Sequence, residues 1–354
     1  YFNTEGHIED IFTTNIYLGL SYAQNNEEKK AAAIFQSMLN QIDQPSKTIP
    51  ITTAASEVRT YLKSISNKHY LGDVIATILQ RIDLFQKKIQ RTRREIRKHA
   101  SVIPFAAPKL SISGFGRIEV IINDRLISPS DWMSQTPRDL FFLFLANPEG
   151  LTKEEIGLVF WPDSSAEELK LRFKNTIYRL RRAIGTETIL FQDNYYTFNH
   201  DLDFEYDVLS FNHLISNADT EKDTIRKNAF LERAISLYKG PYLPGMEKAW
   251  VVSDRQHYHE LFINAIKEVI KYQLKNKNTK KAMFYVQRAL KEDACEEEIY
   301  RLAMQIHAVN GNKAAIVRQY KQCTHVLLKE IGEKPSHITT ELYQHLIKDN
   351  FSSQ

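Results

Sequence analysis

The hydrophobic residues of this chain change their period four times, and that order constrains the fold more than any other feature. From about residue 16 to 98 they recur at helical spacing. At 110–114 (LSISG) and 117–122 (RIEVII) they alternate as in strands about Gly114 and Gly116. Asn123-Asp124 then offers a two-residue turn into Arg125-Leu126-Ile127. Helical spacing returns for three short segments, and TILFQDNYYTFN (188–199) reads as strand, Asp-Asn turn, strand. Beyond Asp203 helical spacing holds again. Sheet, three helices and a terminal hairpin are the order of a winged helix, here flanked on both sides by helical sequence.

Each of the three helices carries a start signal. Thr136-Pro137-Arg138-Asp139 places a cap hydroxyl, a first-turn proline and an acid before LFFLFLA, the expected buried first helix. Thr152-Lys153-Glu154-Glu155 is a capping box for a second helix through Phe160. After Trp161-Pro162-Asp163, Ser164 and Ser165 can cap a third helix running to about Ile184. At 100° per residue, Ala166, Leu169, Phe173, Ile177, Leu180 and Ile184 of this helix fall in one narrow arc, the expected packed face. The opposite arc carries Leu171, Asn175, Tyr178 and Arg182. Arg172 and Arg179 flank it on one side, and Lys170, Lys174 and Arg181 on the other.

A helix of this kind fits the major groove of B-DNA. Its lysines and arginines neutralise phosphates and release counterions. Arginine can grip guanine, and asparagine adenine, with two hydrogen bonds each. Asn175, Arg172, Arg179 and Tyr178 are therefore the candidates for base readout, and Lys170, Lys174, Arg181 and Arg182 for phosphate contact. The turn Gln192-Asp193-Asn194-Tyr195 would be the wing, with Asn194 and Tyr195 its candidates for DNA contact. Neighbours on a strand point opposite ways, so one of Tyr195 and Tyr196 belongs to the core; the sequence leaves open which.

Composition adds bounds. Glycine (12) and proline (11) are scarce among 354 residues, which favours long helices over an all-β architecture. The net charge of +4 is too small to decide a partner, so a nucleic-acid site must be a local cluster. Cys295 and Cys323 have no CxxC partner, which fits a reducing cytoplasm and excludes a cysteine-based zinc site. No apolar run reaches the ~18 residues of a membrane span. The chain opens on Tyr1 rather than Met, and reads as the later part of a longer protein.

Residues 1–100 are expected to be helical. Leu18, Gly19, Tyr22, Ala31 and Phe35 fall on the spacing of a tetratricopeptide hairpin broken at Gln24-Asn25-Asn26, although a generic helical hairpin fits equally. Two further helices, at about 51–66 and 69–98, end in the basic run Lys87, Lys88, Arg91, Arg93, Arg94, Arg97 and Lys98. That run reads either as a solvated face or as a strut near DNA phosphates. Residues 101–108, with Pro104 and Pro108, look like a linker. In the last third, helices are expected at about 207–218, 221–239, 249–276, 279–292, 295–310, 312–330 and 336–348. A rigid turn built on Gly240-Pro241 and Pro244-Gly245 interrupts them.

These residues carry a family resemblance. The stretch 109–200 resembles the OmpR/PhoB-type winged helix, and FWPDSS (160–165) with LRFKNTIYRLRRAIG (171–185) is similar to the form found in SARP-type bacterial activators. Ala289-Leu290, Glu298, Gly311, Ala315, Tyr320, Glu330-Ile331-Gly332, Pro335 and Thr339 match, in order, the bacterial transcriptional activator domain that follows it in that family. The resemblance implies a mainly α chain in four parts. These are a helical-repeat segment (1–100), a linker (101–108), a winged-helix DNA-binding domain (109–200) and a tetratricopeptide-like activator domain (201–348). It implies a cytoplasmic activator that binds double-stranded promoter DNA at tandem repeats and self-associates there. It also implies a contact with RNA polymerase through Trp161, Asp163 and Ser164. The first hundred residues are similar to the helical repeats of MalT-like signal-transduction regulators, which would place any nucleotide or inducer site upstream. No cofactor is implied for this chain.

An enzyme finds no support. His257 and His259 sit two apart and diverge by about 200° on a helix, so they do not converge on one metal. There is no GxxxxGK[ST] loop and no GxSxG turn. The competing class is a helical-repeat adaptor whose winged helix binds protein; the cations gathered opposite a clean apolar stripe discriminate against it.

Overall fold

The computed structural model describes residues 8–99 and 109–349, so the expected linker at 101–108 lies outside the described residues. The chain is mainly helical, and its described residues separate into two compact units, one of residues 8–99 with 199–203, the other of 109–198 with 204–349.

In the N-terminal unit, α1 (Ile8–Gln24) and α2 (Glu28–Leu39) form a helical hairpin, reversed where Asn26 takes a left-handed φ of 61°. Gly19 makes the close approach that its spacing suggested: a Cβ there would lie 2.7 Å from Phe35 Cζ. Leu18 instead stays exposed. The helix expected at 51–66 begins earlier and breaks, giving α3 (Pro45–Glu57) and α4 (Arg59–Ile65) on either side of Val58. The hydroxyls of Thr52 and Ser56 bond back to the carbonyls four residues before them, a habit that bends helices. The long α5 (Gly72–His99) completes the unit. Phe12, Ile16, Phe35, Leu62, Ile75 and Ile82 are among its buried residues.

In the second unit, β1 (Leu110–Ser113), β2 (Glu119–Ile122) and β3 (Arg125–Leu126) are followed by α6 (Pro129–Trp132) and α7 (Gln135–Ala146). Then come α8 (Lys153–Phe160), α9 (Ala166–Ile184), β4 (Ile189–Gln192), β5 (Tyr195–Phe198) and β6 (Phe204–Tyr206). The sheet order is β3-β2-β1-β6, with β6 parallel to β1 and the other pairs antiparallel, while β4 and β5 form a hairpin of their own. Asn123-Asp124 and Asp193-Asn194 have positive φ at both turn positions, the geometry of the tight hairpin turns expected there. α7 does not use Thr136 as its cap. The helix starts one residue before it, from an extended Ser134, and its Phe141, Phe142 and Phe144 are fully buried.

Seven helices follow: α10 (Asp207–Thr220), α11 (Thr224–Leu237), α12 (Ala249–Lys275), α13 (Thr279–Glu292), α14 (Glu297–Val309), α15 (Lys313–Glu330) and α16 (His337–Asp349). The Gly240–Gly245 turn has a specific job. Leu243 N–H donates to Gly114 O (2.8 Å) and Gly116 N–H to Pro241 O (3.0 Å), which stitches the turn to the β1–β2 connection. Gly116 has φ +77°, and a Cβ there would lie 2.7 Å from Lys239 O, so a larger residue would part the two segments. Arg255 braces the turn from α12 by donating to the carbonyls of Tyr242, Leu243 and Met246. Phe115 enters between them, its ring centroid 5.0–5.4 Å from those of Tyr238, Phe211 and Tyr258.

Asp207, at the start of α10, accepts N–H bonds from Gly114 (2.8 Å) and Phe115 (3.2 Å). Burial pushes its carboxyl up to about 6 despite these bonds. The folded chain therefore holds that proton more tightly than the unfolded chain does. The stabilisation is full below the ordinary carboxylate range and is lost as pH rises through about 6. Urea unfolding at about pH 4 and about pH 7 should show wild type losing on the order of 2–3 kcal/mol more than Asp207→Asn over that interval. Equal pH dependence in the two proteins would contradict this assignment.

Candidate nucleic-acid interface

The second and third helices of the winged segment are set at their N-termini by local chemistry. Thr152 and Glu155 close one capping box at the start of α8, and Ser165 with Glu168 closes another at the start of α9. Ser165, not Ser164, is the cap. Gly157 lets the two helices approach, since a Cβ there would lie 2.7 Å from Leu169 Cδ1.

The buried stripe of α9 is Phe173, Thr176, Ile177, Leu180, Ala183 and Ile184. Leu169 is half-buried, and Ala166, expected in the packed arc, is exposed because it occupies the first turn beyond the helices that cover the rest. Lys170, Leu171, Arg172, Lys174, Asn175, Tyr178 and Arg182 are exposed, and Arg179 is half-exposed. Leu171 and Tyr178 are 61% and 64% exposed on this face. Glu168, one turn before Arg172, is held below the ordinary carboxylate range first by Ser165 and also by the charge of Arg172. Among the described residues no ion pair joins Lys170, Arg172, Lys174, Arg179 or Arg182 to a carboxylate.

Arg181 behaves differently from its neighbours. Its Nη2 donates to Ile189 O at 3.0 Å and its Nε is buried. It ties the end of α9 to the first residue of β4, and so belongs to the frame of the hairpin rather than to the outward cations. The hairpin itself separates the two tyrosines. Tyr196 packs on Phe173 (4.8 Å) and Phe191 (4.4 Å), and exchanges both backbone hydrogen bonds with Leu151. Tyr195 is 45% exposed beside the exposed Asn194, at the turn.

The α8–α9 connection is tight. Trp161 N–H closes α8 on Gly157 O (2.7 Å), and Ser164 N–H donates to Trp161 O (3.1 Å). Trp161 and Ser164 are half-buried, Asp163 is exposed, and the Trp161 ring lies against Phe160.

The basic run on α5 is part solvated and part paired: Lys87, Lys88 and Arg91 are exposed, while several of its cations meet carboxylates. Arg91 Nε donates to Asp201 (2.8 Å), with Lys87 3.8 Å from the same carboxylate. Arg97 pairs with the buried Asp203, with Arg93 3.7 Å away. Local sequence could not supply those partners, which lie more than a hundred positions away. His259 Nε2 faces Asp293 at 3.4 Å, and among the described residues no three His, Cys, Asp or Glu side chains gather where they could hold a metal. Cys295 and Cys323 are free thiols, and no helix among the described residues is long and apolar enough to cross a membrane.

Two comparisons with known proteins bear on the chain. Residues 206–347 match the family model of the bacterial transcriptional activator domain. The structure is similar to that of Mycobacterium tuberculosis EmbR in complex with a low-affinity phosphopeptide. The TM-score is 0.54 at 11% sequence identity, over 69% of this chain and 66% of the EmbR chain, a likeness of fold. The chain thus spans just under two thirds of that protein's length. No curated protein sequence matches.

The two tyrosines provide a check on the hairpin. Tyr196→Ala should cost about 2 kcal/mol in urea unfolding, because it opens the contact with Phe173. Tyr195→Ala should stay within about 0.5 kcal/mol of wild type. The reverse ranking would mean that the hairpin sits in the opposite register.

Proposed function

We propose that this chain, a SARP-type regulator whose residues 206–347 form a bacterial transcriptional activator domain, acts by laying α9 in the major groove of promoter DNA. The observation that carries the reading is the outward face of α9, where five cations, none in an ion pair among the described residues and only Arg172 coupled to a carboxylate (Glu168), surround Asn175 and Tyr178 opposite a buried stripe. A scaffold helix has no need to gather so many cations on one face; a duplex, with a charge every ~1.7 Å, supplies their counter-charge. Lys170, Lys174 and Arg182 serve phosphates, and Asn175, Arg172, Arg179 and Tyr178 read base edges. Asn194 and Tyr195 lie along the backbone at the wing, placed there by Arg181. Trp161, Asp163 and Ser164 contact RNA polymerase. The helices from α10 onward support activation and self-association on tandem sites in the cytoplasm. The role calls on no cofactor.

Selection from a randomised duplex library, followed by titration at several salt concentrations, tests the reading. Affinity should fall steeply and linearly on a log–log salt plot. Arg182→Ala should weaken all sequences alike and reduce that slope by about 1. Asn175→Ala should cost about 1–3 kcal/mol at one base pair only. No salt-dependent binding to any duplex would end the proposal.

A further inference from the structure

Leu171 is 61% exposed on the outward face of α9, in line with Asn175 and Tyr178. A lone exposed leucine is common on protein surfaces; what marks this one is its setting. Lys170 and Arg172 flank it in sequence, and Lys174 and Asn175 stand one turn further on, all exposed. A protein partner would have to bury these cations along with the leucine. A duplex instead offers phosphates at the rim of the groove and an apolar group on its floor, the C5-methyl of thymine. We infer that Leu171 is a specificity-determining residue that reads a thymine methyl in the major groove. The inference rests on the DNA-binding reading above and deepens it.

The geometry restricts where that thymine lies. Leu171 and Asn175 are four residues apart, one above the other on the same face, and so about 6 Å apart along the helix axis. Successive base pairs are separated by ~3.4 Å. A helix in the groove is inclined to the duplex axis, so the thymine contacted by Leu171 falls at most about two base pairs from the adenine contacted by Asn175. Tyr178 extends the same stripe by a further turn. The preferred half-site then holds two A·T pairs at fixed separation, with the thymine position sensitive to its methyl group rather than to its hydrogen-bonding pattern.

The probe is the duplex recovered from the randomised library, made with deoxyuridine in place of thymidine at that position. The exchange removes one methyl and nothing else. Burying such a group contributes about 0.8 kcal/mol, and at about 1.4 kcal/mol per factor of ten the wild-type protein should lose about fourfold in affinity. Leu171→Ala should bind the two duplexes equally, with an unchanged melting temperature because the residue is exposed. Its salt dependence should match wild type. If Leu171→Ala keeps the fourfold preference, or wild type shows none, the assignment of Leu171 is overturned while salt-dependent DNA binding stands. If no duplex binds at all, the functional reading falls and this inference with it.

Discussion

The packed stripe of α9 decides what the rest of the winged segment can present. Phe173, Thr176, Ile177, Leu180, Ala183 and Ile184 are buried, and the rotation that buries them leaves Lys170, Lys174 and Arg182 no inward alternative. Turning the helix by one residue would carry it about 100° and drive a lysine or arginine into apolar surroundings without a partner. That costs several kcal/mol even after relaxation. Both ends are fixed as well. The Ser165–Glu168 box and the Gly157–Leu169 contact hold the start, and the bond from Arg181 to Ile189 O holds the finish. Orientation of the cationic face is thus a consequence of core packing.

A second constraint joins the β1–β2 connection to the helices that follow. Phe115 sits among Phe211, Tyr238, Tyr242 and Tyr258, and Asp207 takes the N–H groups of Gly114 and Phe115. The Gly240–Gly245 turn closes over them, with Arg255 behind it. The small sheet and the start of the activator helices therefore share one core. The parallel pairing of β6 with β1 carries the chain directly from that sheet into α10, so residues that read as helix onset also complete a strand ladder.

What could be read from the sequence follows the range of the forces involved. Helices α8 to α16 were legible because hydrophobic period and capping boxes are encoded within a few residues. Both tight turns were legible because Asn and Asp tolerate positive φ. β6 was not, since three residues carry no period and its partner lies some ninety positions earlier. The break at Val58 was hidden within a continuous apolar pattern, and α7 follows an extended Ser134 whose side chain makes no cap bond, so no local capping signal marked its start. The carboxylates that pair with the basic run on α5 were not legible for the same reason of distance: Asp201 and Asp203 adjoin it only after folding. Leu171 was visible on the outward arc, but only its exposure in the fold turned it from an oddity into a candidate contact.

At this site, position within the period assigns the role more strongly than residue type does. Arg181 and Arg182 are chemically identical neighbours, yet one step of a helix sends the first guanidinium to a backbone carbonyl and leaves the second in solvent. Tyr195 and Tyr196 are likewise identical, and one step along a strand turns the second onto Phe173 and the first outward. A residue count of arginines and tyrosines would give all four the same function. Adding one residue within the strand would exchange the faces of the two tyrosines, whereas within the helix it would turn the following side chains by about 100° and take Arg181 away from Ile189 O. Phase within each element therefore determines the candidate interface as much as the residue types on it.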